Sequence, residues 1–215
     1  LYGISIWAIP AIFAITLHEA AHGYVALRFG DDTAARARRL SLNPLRHVDP
    51  VGTILVPGIL LLGSLLGGGR PFLFGWAKPV PVNFGRLRRP RRDMIWVAAA
   101  GPVTNVGLAI VSALLLHLAP FIPAVASGWA VANLINSIEI NLILAVFNMI
   151  PIPPLDGGRV AVGILPNALA YPLARMERLG FFLIIAAMLV LPLGSLIGPP
   201  VAFLFNIIAW ITGHG

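Results

Sequence analysis

The sequence predicts an all-α polytopic membrane protein, with five to six transmembrane or re-entrant helices and a small extended or β element on the inner face. Three observations carry this prediction. Of 215 residues, 58% are hydrophobic and 11% charged, whereas a soluble domain carries about a quarter charged residues. The apolar residues gather in runs such as Phe181–Val190 and Val201–Ile211, which suit a bilayer better than a soluble core. All fifteen Lys and Arg residues fall within Arg28–Arg46, Arg70–Arg92 and Arg159–Arg178, the clustering that positive-inside insertion produces.

The net charge of +7 therefore reads as membrane orientation and not as affinity for nucleic acid, because few aromatics interleave with the cations. Cysteine is absent, which excludes disulfides, thiolate catalysis and cysteine-ligated metal. The first apolar stretch has no basic leading region and holds charged residues, so it does not read as a signal peptide.

Along the chain, the first span is expected at about Ile4–Leu27. The segment Val51–Leu66 starts with a capping Asp49 and with Pro50 in the first helical position. It holds Pro57 and Gly58, ends in Gly67-Gly68-Gly69 and lies between basic loops. A dip into the membrane and back fits these features, with a full span as the alternative. Further spans are expected at about Met94–Leu118, Gly128–Ile150, Leu179–Leu191 and Leu196–Ile211. Residues 1–215 form one membrane-embedded domain, with a core at about 4–165 and additional C-terminal spans at about 178–212. This topology puts residues 28–93 and 151–178 on one side, read as the cytoplasmic side of a prokaryotic inner membrane.

Within the first span stands His18-Glu19-Ala20-Ala21-His22. On an α-helix, residues four apart lie about 40° apart around the axis and one turn along it. Both imidazoles can thus reach one Zn2+, while Glu19 projects beside the metal, placed to take a proton from activated water. Ionisable residues inside a span are costly and usually functional. A catalytic zinc usually has three protein ligands, and the chain has eight acidic residues from which to draw the third. Asp156 is the expected ligand. It follows Pro151, Pro153 and Pro154, which break the helix, and precedes Gly157 and Gly158, which permit close approach. Its other reading is a helix cap, and Glu139, inside a span, is the rival ligand.

These residues resemble the site-2 protease family of intramembrane zinc metalloproteases. The matching pieces are His18 to His22, Gly101-Pro102-Val103-Thr104-Asn105, and Asn148 through Leu155-Asp156-Gly157, in the same order and span contexts from about residue 10 to 160. The resemblance implies zinc ligation by His18, His22 and Asp156, Glu19 as general base, and a compact member without PDZ or CBS domains. Transmembrane-helix proteins are then the substrates and the lipid bilayer the setting. It further implies that Asn105 and Asn148 line the cleft, holding the substrate backbone or the developing oxyanion; the bland reading of each is an interhelical hydrogen bond.

Residues 72–83, Phe-Leu-Phe-Gly-Trp-Ala-Lys-Pro-Val-Pro-Val-Asn, read as irregular or extended. An interfacial loop anchored by Trp76 and Lys78 is the plainer reading. In the sharper one, Pro79 and Pro81 leave the amides of Val80 and Val82 on the opposite edge, which pairs with an unwound substrate. A polytopic transporter, or an inactive metal-binding scaffold, is the alternative function. The absence of an evident internal repeat speaks against the transporter.

Overall fold

The structure is a computed structural model that describes residues 2–56, 58, 59, 62, 63, 78–177, 179, 180, 182, 184, 186 and 193–214. Its helices are α1 (Tyr2–Arg28), α2 (Thr33–Arg36), α3 (Pro90–Leu116), α4 (Ala124–Asn148), α5 (Asp156–Ile164), α6 (Asn167–Arg175) and α7 (Leu193–Ile211). Among the described residues four helices are long and apolar enough to cross a membrane: α1, α3, α4 and, from Gly194, α7. The protein is an integral membrane protein. Most of the span expected at 179–191 lies outside the described residues, as do residues 57, 60, 61 and 64–66 of the segment expected to dip.

Helix boundaries follow from local chemistry. α1 stops at Gly30, whose φ of 107° is open to glycine. The Asp31 N–H then turns back to the Ala26 carbonyl at 2.9 Å, the closure of a Schellman turn. Asp49 Oδ1 accepts from the Val51 and Gly52 amides at 3.0 and 2.7 Å, so the expected cap forms, and Pro50 opens a π-helical turn over Pro50–Leu55. α3 starts at Pro90, with Asp93 Oδ2 accepting from the Arg89 N–H at 2.8 Å. α4 ends before Pro151, where the chain loses donors and turns.

α3 packs against α1, α4, α5 and α7. Ala109 and Ala113 on α3 meet Ile138 and Leu142 on α4 and Ile208 on α7; alanines let helices approach where lipid offers no hydrophobic gain. At one end of the bundle the His117 ring bonds the Thr212 carbonyl and the His214 ring bonds the Ala113 carbonyl. The other end gathers cations. There the Arg88 N–H donates to the Phe29 carbonyl at 3.0 Å, and Arg91 donates to the Gly163 and Leu165 carbonyls and to Asn167 Oδ1. These contacts tie α5 and the start of α6 to the start of α3.

One expectation needs correction. No described residue lies in a β-strand; residues 78–83 are irregular, and 72–77 lie outside the described residues. The physical reason lies in the amides. Pro79 and Pro81 have none, the Val80 N–H donates to Glu19 Oε2 at 2.9 Å, and the Asn83 N–H donates to Asp31 Oδ2 at 2.6 Å. Two carboxylates thus take two of the donors that a neighbouring strand would need.

Candidate metal centre

α1 presents His18 and His22 on one face, 6% and 8% exposed, with ring centroids 4.7 Å apart and planes at 85°. α3 runs antiparallel beside them and holds both rings. His22 Nδ1 lies 2.7 Å from the Val97 carbonyl, and a carbonyl only accepts, so Nδ1 carries the proton. His18 Nδ1 lies 2.5 Å from Asn105 Oδ1. The Asn105 amide nitrogen donates to the Ala14 carbonyl at 3.3 Å, which turns Oδ1 toward the ring, so His18 Nδ1 is also the donor. In each neutral ring Nε2 is left with its lone pair.

Those lone pairs face a third acceptor. Asp156 Oδ2 lies 3.2 Å from His18 Nε2 and 3.4 Å from His22 Nε2. Asp156 is 5% exposed, and its Oδ2 is buried without a hydrogen-bond donor. The ligand atoms of His18, His22 and Asp156 all lie within 4.8 Å of one another. Three buried acceptors converging with no donor among them fit a cation. Two imidazoles and one carboxylate are a donor set for zinc, with a fourth position open to water or substrate.

Asp156 reaches this point as the first residue of α5. The N-cap position belongs to Leu155, so the cap reading gives way to the one aimed at the imidazoles. The glycines after it permit the approach: a Cβ on Gly157 would stand 2.2 Å from the Met149 carbonyl oxygen, and one on Gly158 2.3 Å from the Pro153 nitrogen. Glu139, the rival ligand, sits on an exposed face of α4 and outside the cluster.

A cavity of about 290 Å³ opens onto the cluster. Its polar end holds His18, Glu19, His22, Asp156, Asn148 and Arg159, and Val80, Val82 and Phe84 form an apolar wall. Asn148 donates to the Leu144 carbonyl at 3.0 Å and still borders the cavity. Asn105 does not lie where the resemblance suggested: it is 0% exposed, behind His18, and does not line the cavity. Its amide oxygen is spent on the His18 ring, and its NH2 on the Ala14 carbonyl and Asn141 Oδ1. Val80 is 7% exposed, and its amide meets Glu19 rather than standing free.

One contributor, the Val97 carbonyl that orients His22, was not singled out in the sequence. Gly101, noted there only as part of the matching Gly101–Asn105 piece, clears room for both rings, since a Cβ there would stand 2.5 Å from His18 Nε2 and 2.6 Å from His22 Nε2. The available signal was the spacing of 97, 101 and 105, four residues apart on one stripe of α3. Arg159, which follows the glycine pair, also went unremarked. Its guanidinium lies 5.3 Å from the Phe84 ring centroid and bonds Glu177 at 2.9 Å.

A polytopic helical bundle with a buried His-His-Asp cluster and an adjacent glutamate defines a membrane metalloprotease of the site-2 type. Comparison with known proteins agrees. The family model described as Peptidase family M50 matches residues 122–192. The Bacillus subtilis (strain 168) protein named "Putative zinc metalloprotease YwhC" is 40% identical over 192 residues, 87% of this chain and 81% of that protein. The Rip2 protein of Mycolicibacterium smegmatis, under the same description, is 31% identical over 183 residues, 84% of this chain and 65% of its own length. The Methanocaldococcus jannaschii protein MJ0611, likewise so described, is 47% identical over 64 residues, 30% of this chain and 31% of its own. No solved structure matches the chain. The chain belongs to peptidase family M50, the site-2 protease family, and zinc is the metal those relatives indicate.

Proposed function

We propose that the protein is an intramembrane zinc metalloendopeptidase, which hydrolyses peptide bonds in or beside transmembrane segments of membrane-protein substrates in regulated intramembrane proteolysis. The observation that carries this is the convergence of three buried acceptors, His18 Nε2, His22 Nε2 and Asp156 Oδ2, at the head of a cavity that also holds Glu19. His18, His22 and Asp156 would hold the ion. A bound zinc supplies Lewis acidity toward the scissile carbonyl and makes water more acidic.

The chain's own groups do the rest. Glu19, one residue from His18 and facing the same cavity, accepts the proton of the attacking water and returns one to the leaving amine. Its Oε2 rests on the Val80 N–H, which orients the carboxylate without neutralising it. Asn148 borders the cavity with an amide hydrogen to spare for a substrate carbonyl. Residues 78–83 form the wall along which an unwound substrate strand would lie, with Val82 offering the edge. The basic residues around this end support a site on the cytoplasmic side of a prokaryotic inner membrane.

Glu19→Gln is the test. The full chain carrying it should keep its zinc and lose cleavage of a transmembrane-helix substrate by about 10²–10⁴-fold, whereas Asp156→Asn should lose the zinc itself. Cleavage surviving Glu19→Gln would refute Glu19 as the general base, and a native chain that binds zinc but cleaves nothing would return weight to a transporter or an inactive scaffold.

A further inference from the structure

The hydrogen bonds behind His18 continue past Asn105. The second hydrogen of the Asn105 amide donates to Asn141 Oδ1 at 2.8 Å, and the Asn141 amide in turn donates to the Ser137 carbonyl at 2.8 Å and to Ser137 Oγ at 3.3 Å. Asn141 is 1% exposed, lies on α4 and does not line the cavity. A main-chain carbonyl anchors the chain of amides at each end, Ala14 on α1 and Ser137 on α4, and a carbonyl cannot donate. Every amide orientation between them is therefore determined.

The alternative orientation shows what Asn141 does. Turning the Asn105 amide over would present its NH2 to His18 Nδ1. The ring would then accept at Nδ1 and carry its proton on Nε2, where it could ligate nothing. In the native protein that turn places Asn105 Oδ1 against two acceptors, the Ala14 carbonyl and Asn141 Oδ1. Without Asn141 only one of those repulsions remains, and one buried N–H of Asn105 has no acceptor.

We propose that Asn141, which contacts neither ion nor substrate, is a positioning residue of the zinc site: it sets the orientation of Asn105, and through it the tautomer of His18 that offers Nε2 to the ion. The inference rests on His18, His22 and Asp156 being the zinc ligands.

The test measures the zinc dissociation constant of the full chain in lipid nanodiscs, by competition with a chelator, for Asn141→Leu in two backgrounds. In the native background it should weaken zinc binding about 10-fold, at the lower edge of the about 10–100-fold range for groups behind a metal ligand. In an Asn105→Asp background it should have almost no effect, because a carboxylate presents oxygen to His18 whichever way it turns. Ser137→Ala, which leaves the Ser137 carbonyl in place, should bind zinc as the native protein does. Where leucine prevents folding, Asn141→Ala gives the same comparison. Native zinc affinity in Asn141→Leu overturns the proposal, and so does an equal loss in both backgrounds, which would mark Asn141 as a link between helices only. A native chain that binds no zinc, or binds it equally after His18→Ala, overturns the metal site itself.

Discussion

Placing a methyl group on Gly101 tests the architecture of the centre at its tightest point. The Cβ of Gly101→Ala would lie 2.5 Å from His18 Cε1 and Nε2 and 2.6 Å from His22 Nε2, where unstrained heavy atoms stand about 3.5–4.0 Å apart. The rings must therefore move by about 1 Å. They cannot swing freely, because His18 Nδ1 is bound to Asn105 and His22 Nδ1 to Val97, both on the helix that carries the new methyl. Overpacking costs about 1–3 kcal/mol, and the gain in helix propensity from Gly to Ala returns up to about 1 kcal/mol. The net cost of about 0–2 kcal/mol leaves the fold intact. The centre fares worse, since a misplacement of about 1 Å costs on the order of 10²-fold in rate. We expect Gly101→Ala to unfold near the native temperature while its zinc affinity and its cleavage of a membrane substrate each fall by about 10²-fold. Gly107→Ala, on the same helix with nothing within 4 Å of its Cβ, should leave zinc binding and cleavage unchanged. Native zinc affinity in Gly101→Ala would show that α3 does not press on the two imidazoles as described.

Two further predictions probe the segment that follows. Val80→Pro removes the N–H that Glu19 accepts, whereas Val82→Pro leaves that contact alone; if the strand edge holds substrate, Val82→Pro should lower kcat/KM by about 2–10-fold, the worth of one backbone hydrogen bond, with zinc content unchanged, and undiminished cleavage would dispose of the edge. Asp31 concerns stability. Burial by itself would raise its carboxyl, but hydrogen bonds from Thr33 and the Asn83 amide, with Arg86 nearby, hold it below the ordinary value. A group depressed in the folded state contributes stability above its unfolded value of about 3.9, and that contribution disappears as pH falls through the lower folded value. The gap in unfolding midpoint between native protein and Asp31→Asn should thus be widest above about pH 5 and close below about pH 4; a gap that stays constant with pH would contradict it.

Much of the centre was legible because it obeys short-range geometry. His18 and His22 are four apart, and helical periodicity alone brings their rings together. Asp156 was reachable because three prolines and two glycines mark a broken backbone, and the structure shows what the glycines admit: the main chain of Met149, Ile150, Ile152 and Pro153. Asn105 was harder. Its type announces a hydrogen bond, but whether the amide faces substrate or a ligand histidine depends on how α1 and α3 are rotated against each other, which no local pattern encodes. The β element failed for a similar reason. Alternating Pro and Val at 79–82 suit an extended edge, but the competing acceptors, Glu19 and Asp31, lie about sixty and fifty residues earlier in the chain, and their reach is a tertiary fact.

The α3 stripe shows why an i, i+4 histidine pair in a membrane helix depends on a matching surface. Val97, Gly101 and Asn105 repeat at the same interval as the histidines and run antiparallel to them, so His22 meets Val97, His18 meets Asn105, and Gly101 falls between. Each position answers a different need: an acceptor for one ring, space for two, an acceptor for the other. A backbone carbonyl is free to accept at Val97 because Gly101, the residue whose N–H it also serves in the helix, has no side chain to shield it. The same glycine that opens the metal space thus exposes the oxygen that sets the tautomer of His22. Substitutions along the stripe should consequently couple: changes at Gly101 and Asn105 act on the same two rings, and their effects on zinc affinity should depart from additivity as those of contacting residues do.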